Sequence, residues 1–309
     1  MTSFSIQAPR AVVMIRPHHF HPNPETEGDN LFQTRDGTRT GVEIAEQAYA
    51  EVSRAAENLE KAGVQVHLFE DEGRETPDSV FPNNWFSTHA GGHVAIYPMF
   101  SPNRRRERRS DVIEMLKQQY RVQDVIDYSG LEQDGLSLEG TGAMVLDHIS
   151  RIAYAAKSNR TNEVAMERFC THFNFEPIVF DAADEGGRLI YHTNVLMCVG
   201  TEFALIGLET IGNPVRRREV HDRLAENGRE IVDLSLGQIN DFAGNALELS
   251  GAGGRVLALS RRALTALRPE QIRAIERSAT LLPLDVPTIE LAGGSVRCMM
   301  AGIHLTRRP

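Results

Sequence analysis

The stretch Ala246-Leu247-Glu248-Leu249, Gly253-Gly254, Arg255-Val256-Leu257-Ala258-Leu259 reads as two short apolar strands joined by a glycine turn. A helical pattern follows over roughly 268–278, and then a third strand candidate, Leu281–Val286. The same succession recurs along the chain. Helical periodicity marks roughly 41–62, 104–119, 160–173, 214–227 and 268–278; the first presents Val42, Ala45, Tyr49, Val52, Ala55 and Leu59 at helical spacing. Strand candidates follow each helix at Val64–Phe69, Arg121–Ile126, Glu176–Phe180, Glu230–Leu234 and Leu281–Val286. A period of this size means a repeat-built fold.

The two ends of the chain complement each other. The last unit stops soon after Ser295–Met300, while the chain begins with a lone strand, Ala11–Arg16, ahead of its first helix. Pairing of these N- and C-terminal strands closes a ring and removes open sheet edges. The expectation is an α/β fold, a five-bladed α/β propeller occupying residues 1–309 as one domain. Two stacked α/β domains are the competing architecture, and they leave the repeat unexplained.

Unusual polar residues fall at equivalent places in successive units. Asn84, Thr141, Asn194, Asn245 and Cys298 are separated by 57, 53, 51 and 53 residues, with Glu139 and His192 two positions ahead of Thr141 and Asn194. In a ring, equivalent positions converge on the axis. A thiolate nucleophile, an imidazole that exchanges protons and a carboxylate that supports the imidazole make a hydrolytic constellation, and geometry rather than chain order defines it. Cys298, His192 and Glu139 supply these types. Cys170 and Cys198 read as small core hydrophobes.

Composition excludes other classes. A net charge of -9 argues against a nucleic-acid partner, and the cationic run Arg104–Arg109 reads as a solvated face at the start of a helix. No apolar run reaches the length of a membrane span, no secretory leader pattern opens the chain, and three cysteines form no even framework. A cytoplasmic protein with no membrane or nucleic-acid partner is expected. A homo-oligomer stays open. The segment Pro17-His18-His19-Phe20-His21 lacks the cysteines or carboxylates that complete a zinc site, so no metal and no cofactor is expected.

Several stretches together carry a family likeness: Ile15-Arg16-Pro17, Asn23-Pro24-Glu25, Asp29-Asn30-Leu31-Phe32-Gln33, Phe81-Pro82-Asn83-Asn84-Trp85, Leu138-Glu139-Gly140-Thr141-Gly142 and Ser295-Val296-Arg297-Cys298. The chain resembles the amidinotransferase and arginine deiminase superfamily, the pentein fold, which includes the dimethylarginine hydrolases, and within it most resembles the citrulline-utilisation hydrolases. The resemblance implies that Cys298 is the nucleophile, His192 the general acid and base, and Glu139 their acidic partner. It implies a small-molecule ureido or guanidino substrate, held by residues among Asn83, Asn84, Asn194, Asn245, Arg16, Gln33 and Arg297. Arg16 and Arg297 suit an α-carboxylate, or simply make salt bridges. Asp29, Asn30 and Gln33 lie in a long segment suited to covering the pocket.

Where arginine deiminases carry two guanidinium-binding aspartates, this chain has Asn84 and Asn194. An amide offers both donor and acceptor without charge, which suits a neutral ureido group better than a guanidinium. Turn capping is the plainer role for either asparagine. The expected reaction is therefore hydrolysis of citrulline to ornithine, ammonia and carbon dioxide through an S-carbamoyl cysteine. The rivals are a hydrolase of arginine or a substituted arginine, an amidinotransferase, and a non-catalytic relative of the ribosome anti-association factor that shares the architecture.

Overall fold

The computed structural model describes residues 6–309. Among these residues, fifteen strands form five three-stranded sheets. Four follow one chain order: Phe86–His89, His93–Ile96 and Asp124–Asp127; Met144–Asp147, Ile152–Ala156 and Glu176–Phe180; Met197–Val199, Phe203–Ile206 and Glu230–Asp233; Leu247–Gly251, Gly254–Ser260 and Thr280–Leu284. In each, the first two strands pair antiparallel across a short turn, and the third lies parallel to the second. A parallel neighbour requires a crossover, and a helix provides it each time: Ser110–Gln119, Glu163–Phe173, Pro214–Ala225 and Pro269–Glu276.

The fifth sheet joins the two ends of the chain. Ala11–Pro17 pairs parallel with Gln65–Asp71 across the helix Gly41–Lys61, and antiparallel with Ala301–Gly302, with Val12 opposite Gly302 and Val13 opposite Ala301. The complementary termini of the sequence thus meet in one sheet. The terminal strand is shorter than the pattern suggests, because Ser295–Met300 forms turns and only Ala301–Gly302 pairs.

Local signals explain the helix boundaries. Thr40 caps Gly41–Lys61 in a capping box with Glu43, and the helix buries Ile44, Ala48, Val52, Ala55, Ala56 and Leu59. Asn162 and Asn213 accept from the first backbone amides of their helices, which sets their starts at Glu163 and Pro214. The run 104–109 departs from expectation. It forms a separate 3-10 turn over Pro102–Glu107, and the α-helix begins only at Ser110. No helix among the described residues is long and apolar enough to cross a membrane.

One positional rule places the polar repeat. Asn84, Thr141, Asn194, Asn245 and Cys298 each lie in a turn two or three residues before the first strand of a sheet, at Phe86, Met144, Met197, Leu247 and Ala301. His192 accordingly precedes a 3-10 turn over Thr193–Val195 and does not itself begin a strand.

Candidate active site

Glu139 is fully buried at the head of the short helical turn Gly140–Ala143. Its Oε2 accepts from His192 Nε2 at 2.8 Å, and its Oε1 accepts from the Phe100 amide at 3.0 Å. Two guanidinium groups face the same carboxylate, Arg104 Nη1 at 3.4 Å and Arg160 Nη1 at 3.5 Å from Oε2. Burial alone would raise its pKa; Arg160, the His192 hydrogen bond and Arg104 together outweigh burial and hold Glu139 well below the usual carboxylate range.

The same surroundings act on His192 in the opposite sense. Burial pushes the imidazole down to about 4; Arg160 and Arg104 add to this, and Glu139 opposes it. The resting imidazole is neutral, and with Nε2–H donated to Glu139 its Nδ1 is the proton-accepting nitrogen. The glycines of the 138–142 motif permit this arrangement. Gly140 has φ +45°, and a Cβ on Gly142 would sit 2.9 Å from His192 Nδ1 and 2.2 Å from the side-chain amide of Asn84.

Cys298 is 2% exposed, and its sulfur is met by two amide donors, Asn194 Nδ2 at 3.2 Å and Asn245 Nδ2 at 3.3 Å. Asn245 also donates to the Asn194 carbonyl and accepts from the Arg297 amide, so it anchors the turn that carries the thiol. By contrast, burial pushes the Cys170 and Cys198 thiols up to about 12, which leaves them inert as nucleophiles.

Cys298 and His192 line one cavity with Asn84, Asp78, Arg104 and Arg160; Tyr191, Phe81, Asn30, Ala292 and Gly294 complete it. Counted to where it opens to solvent, it holds about 240 Å³ of empty space. Asn84, with its amide turned to donate to Asn83 Oδ1, accepts from Arg104 Nη1 and Nη2 at 3.1 and 3.0 Å. Asp78 Oδ2 accepts from Asn23 at 2.8 Å, while Asp78 Oδ1 and Asn194 Oδ1 are buried without a hydrogen-bond partner among the described residues.

The segment before the first helix closes over this cavity. Asp29 pairs with Arg160 at 2.6 Å, and Asn30 donates to the Ala292 carbonyl at 2.8 Å. Gln33 bridges to Ala292 in the backbone and ties Thr26 to the Asn23 carbonyl through its side chain. It supports the cover and does not line the cavity. Asn83 likewise stands behind, its carbonyl accepting from Thr141 Oγ1.

Two arginines are engaged elsewhere. Arg16 forms a salt bridge with Glu70, donates to Ser53 and lies over the Tyr49 ring, so its long side chain is used on the outside of its sheet. Arg297 donates to the Met300 carbonyl and lines a second cavity. Of the histidine segment, His18 bonds Glu70 and His21 faces the Pro22 carbonyl.

The sequence did not single out Asp78, Arg104 or Arg160 for this cavity. A lone loop carboxylate reads as solvated, and Arg104 stood inside a cationic run. In the structure Arg104 is buried, with two hydrogen bonds to Glu107 at 2.9 and 3.0 Å. The spacing Arg104 to Glu107 within a run bounded by Pro102 was the available signal.

Residues 16–305 match the family model described as N,N dimethylarginine dimethylhydrolase, eukaryotic. No curated protein matches the chain in sequence. Among solved structures, the chain is similar to the substrate-bound N-terminal domain of ArgZ, an arginine dihydrolase from the ornithine-ammonia cycle in cyanobacteria. The TM-score is 0.71 at 18% identity, over 95% of this chain and 97% of that one. It is also similar to unliganded AgrE, with a TM-score of 0.72 at 17% identity over 97% of this chain and 40% of that one. A dimethylarginine dimethylaminohydrolase adduct with S-methyl-L-thiocitrulline superposes at a TM-score of 0.61 and 15% identity, over 97% of this chain and 100% of that one. At these identities the likeness shows the fold.

Proposed function

The chain belongs to the N,N-dimethylarginine dimethylhydrolase family, and on that premise we propose that it is a cysteine hydrolase cleaving a C–N bond at the guanidino carbon of arginine or an N-substituted arginine. The five sheets are read as blades of a closed ring, with the site formed by the turns ahead of their first strands.

Two unpaired acceptors carry the substrate side of this reading. Asp78 Oδ1 and Asn194 Oδ1 are buried without donors among the described residues; Asp78 lines the cavity with Cys298, and Asn194 meets the sulfur through its Nδ2. A guanidinium has only donors, and its charge offsets the unpaired carboxylate oxygen. The citrulline expectation moves to second place, because the family and the fold relatives are named for arginine and methylated-arginine chemistry. What favours a ureido substrate is the pair of neutral amides, Asn84 and Asn194, where arginine deiminases carry aspartates.

In the proposed reaction His192 Nδ1 takes the Cys298 thiol proton, and the amide N–H groups of Asn194 and Asn245 favour the resulting thiolate. Sulfur attacks the guanidino carbon. The departing nitrogen takes the proton from His192 as its C–N bond breaks, leaving an S-linked amidino intermediate. Water then adds to that carbon, giving its proton to His192. The carbon–sulfur bond breaks, citrulline is released, and the thiol is restored. Glu139, ionised throughout, stabilises the transient imidazolium.

The test is kcat/KM on arginine, methylated arginines and citrulline, with released ammonia or methylamine and the amino-acid product identified. Citrulline formed from a guanidino compound carries the reading. Turnover of citrulline alone puts the ureido reading first, and turnover of none overturns both.

A further inference from the structure

Cys298 lines the candidate active-site cavity, and its chain neighbour Arg297 lines a different one. This second cavity receives residues from one edge strand of every sheet: Thr88, Leu146, Cys198, Leu247 and Gly302 among them. It therefore lies where the five sheets face one another. Counted to where it opens to solvent, it holds about 580 Å³ of empty space.

Among the described residues, no aspartate or glutamate lines it. Its polar groups are Gln7, Ser87, Thr88, Thr141, His148, Arg297 and His304. The Arg297 guanidinium donates to one backbone carbonyl, that of Met300 at 2.9 Å, and among the described residues no carboxylate lies within ion-pair distance of it. Carboxylates on the adjoining strands are committed elsewhere: Asp147 to Arg229, and Glu248 to Thr201 and Arg255. A guanidinium does not give up its proton, so this part-buried cation remains charged. A part-buried cation with no counter-charge has lost hydration that nothing in the lining replaces.

The two histidines do not change the sign. His148 and His304 stack with ring centroids 3.9 Å apart. Burial, then the nearby Arg297, holds His304 down to about 4; burial and His304 hold His148 well below the usual range. Both are neutral near pH 7, leaving a lining with one positive charge.

We propose that this central cavity binds a small monovalent inorganic anion, of the chloride class, with the Arg297 guanidinium as its counter-charge. One cation calls for one negative charge, and the cavity lies apart from the site of hydrolysis. The inference does not depend on which guanidino or ureido compound is turned over.

Thermal unfolding of the full chain, titrated with sodium chloride against sodium gluconate at constant ionic strength, tests it. Gluconate carries the same single charge on a hydroxylated organic body, outside the inorganic class proposed. The midpoint should rise by several degrees in chloride and then saturate, as binding to the folded state alone requires, and Arg297→Met should abolish the saturable rise. An equal rise in the variant, or no saturation in the wild type, overturns the proposal. Should Arg297→Met fail to fold, wild-type crystals grown in bromide decide. An anomalous peak at hydrogen-bond distance from Arg297 supports the site; bromide found only at the outer surface overturns it.

Discussion

His192 Nε2 lies 2.8 Å from Glu139 Oε2, a hydrogen bond between residues 53 apart in the chain and both out of solvent. Arg104 and Arg160 keep the carboxylate ionised, so a proton arriving on His192 Nδ1 creates an imidazolium beside a fixed negative charge. Glu139→Gln removes that charge and keeps one oxygen able to accept from His192, with its NH2 then facing the Phe100 amide. The imidazole then holds a proton less well, and kcat should fall about 10²–10³-fold, as for removal of an orienting acid. Its pH profile should shift toward acid. Unchanged kcat and profile would show that Glu139 is structural.

Cys298→Ser should keep the fold and lose turnover, because a serine hydroxyl facing two amide donors is a far weaker nucleophile. Cys170→Ala and Cys198→Ala should keep kcat, with stability losses of about 1–2 kcal/mol from buried sulfur removed. Full activity in Cys298→Ser, measured with protein shown to be folded by circular dichroism, would remove the nucleophile assignment.

Asp78→Asn separates charged from neutral substrates. Its Oδ2 accepts from Asn23 and lies 3.5 Å from Arg104 Nε, while its Oδ1 has no partner among the described residues, so the loss peculiar to a charged substrate is read in the complex. Replacing a charged acceptor should cost a guanidinium substrate about 3 kcal/mol, roughly 100-fold in kcat/KM, and citrulline much less. The ratio of the two kcat/KM values, before and after substitution, is the measurement. A parallel fall on both substrates would mean that Asp78 acts only through Asn23 and Arg104.

Stability should depend on pH through His304. Its imidazole binds a proton near 6.5 when unfolded and only at about 4 when folded, so in that window the unfolded chain holds more protons. Stability therefore falls as pH drops from 6.5 toward 4, by up to about 3 kcal/mol from this group. His304→Asn should flatten the urea-unfolding free energy across the window relative to wild type. An identical slope in both proteins would refute the contribution.

The repeat, the strand–turn–strand–helix–strand order and the complementary termini were legible from the sequence, because the period of apolar residues reports which faces are buried. The near-regular spacing of Asn84, Thr141, Asn194, Asn245 and Cys298 was also legible, since each unit repeats a turn shortly ahead of one edge strand. The nature of the substrate was read less well: two amides pointed to a neutral group, while the carboxylate that bears on charge, Asp78, lies in a loop with no periodicity. Only tertiary structure could show that Asp78 is buried with one oxygen unpaired, that Arg104 leaves its cationic run to face Glu139, and that Arg160 does the same from another unit. It also decided that Arg297 and Cys298, adjacent in the chain, serve different cavities. Burial and pairing of a charge depend on which groups from distant units surround it, and local sequence does not carry that information.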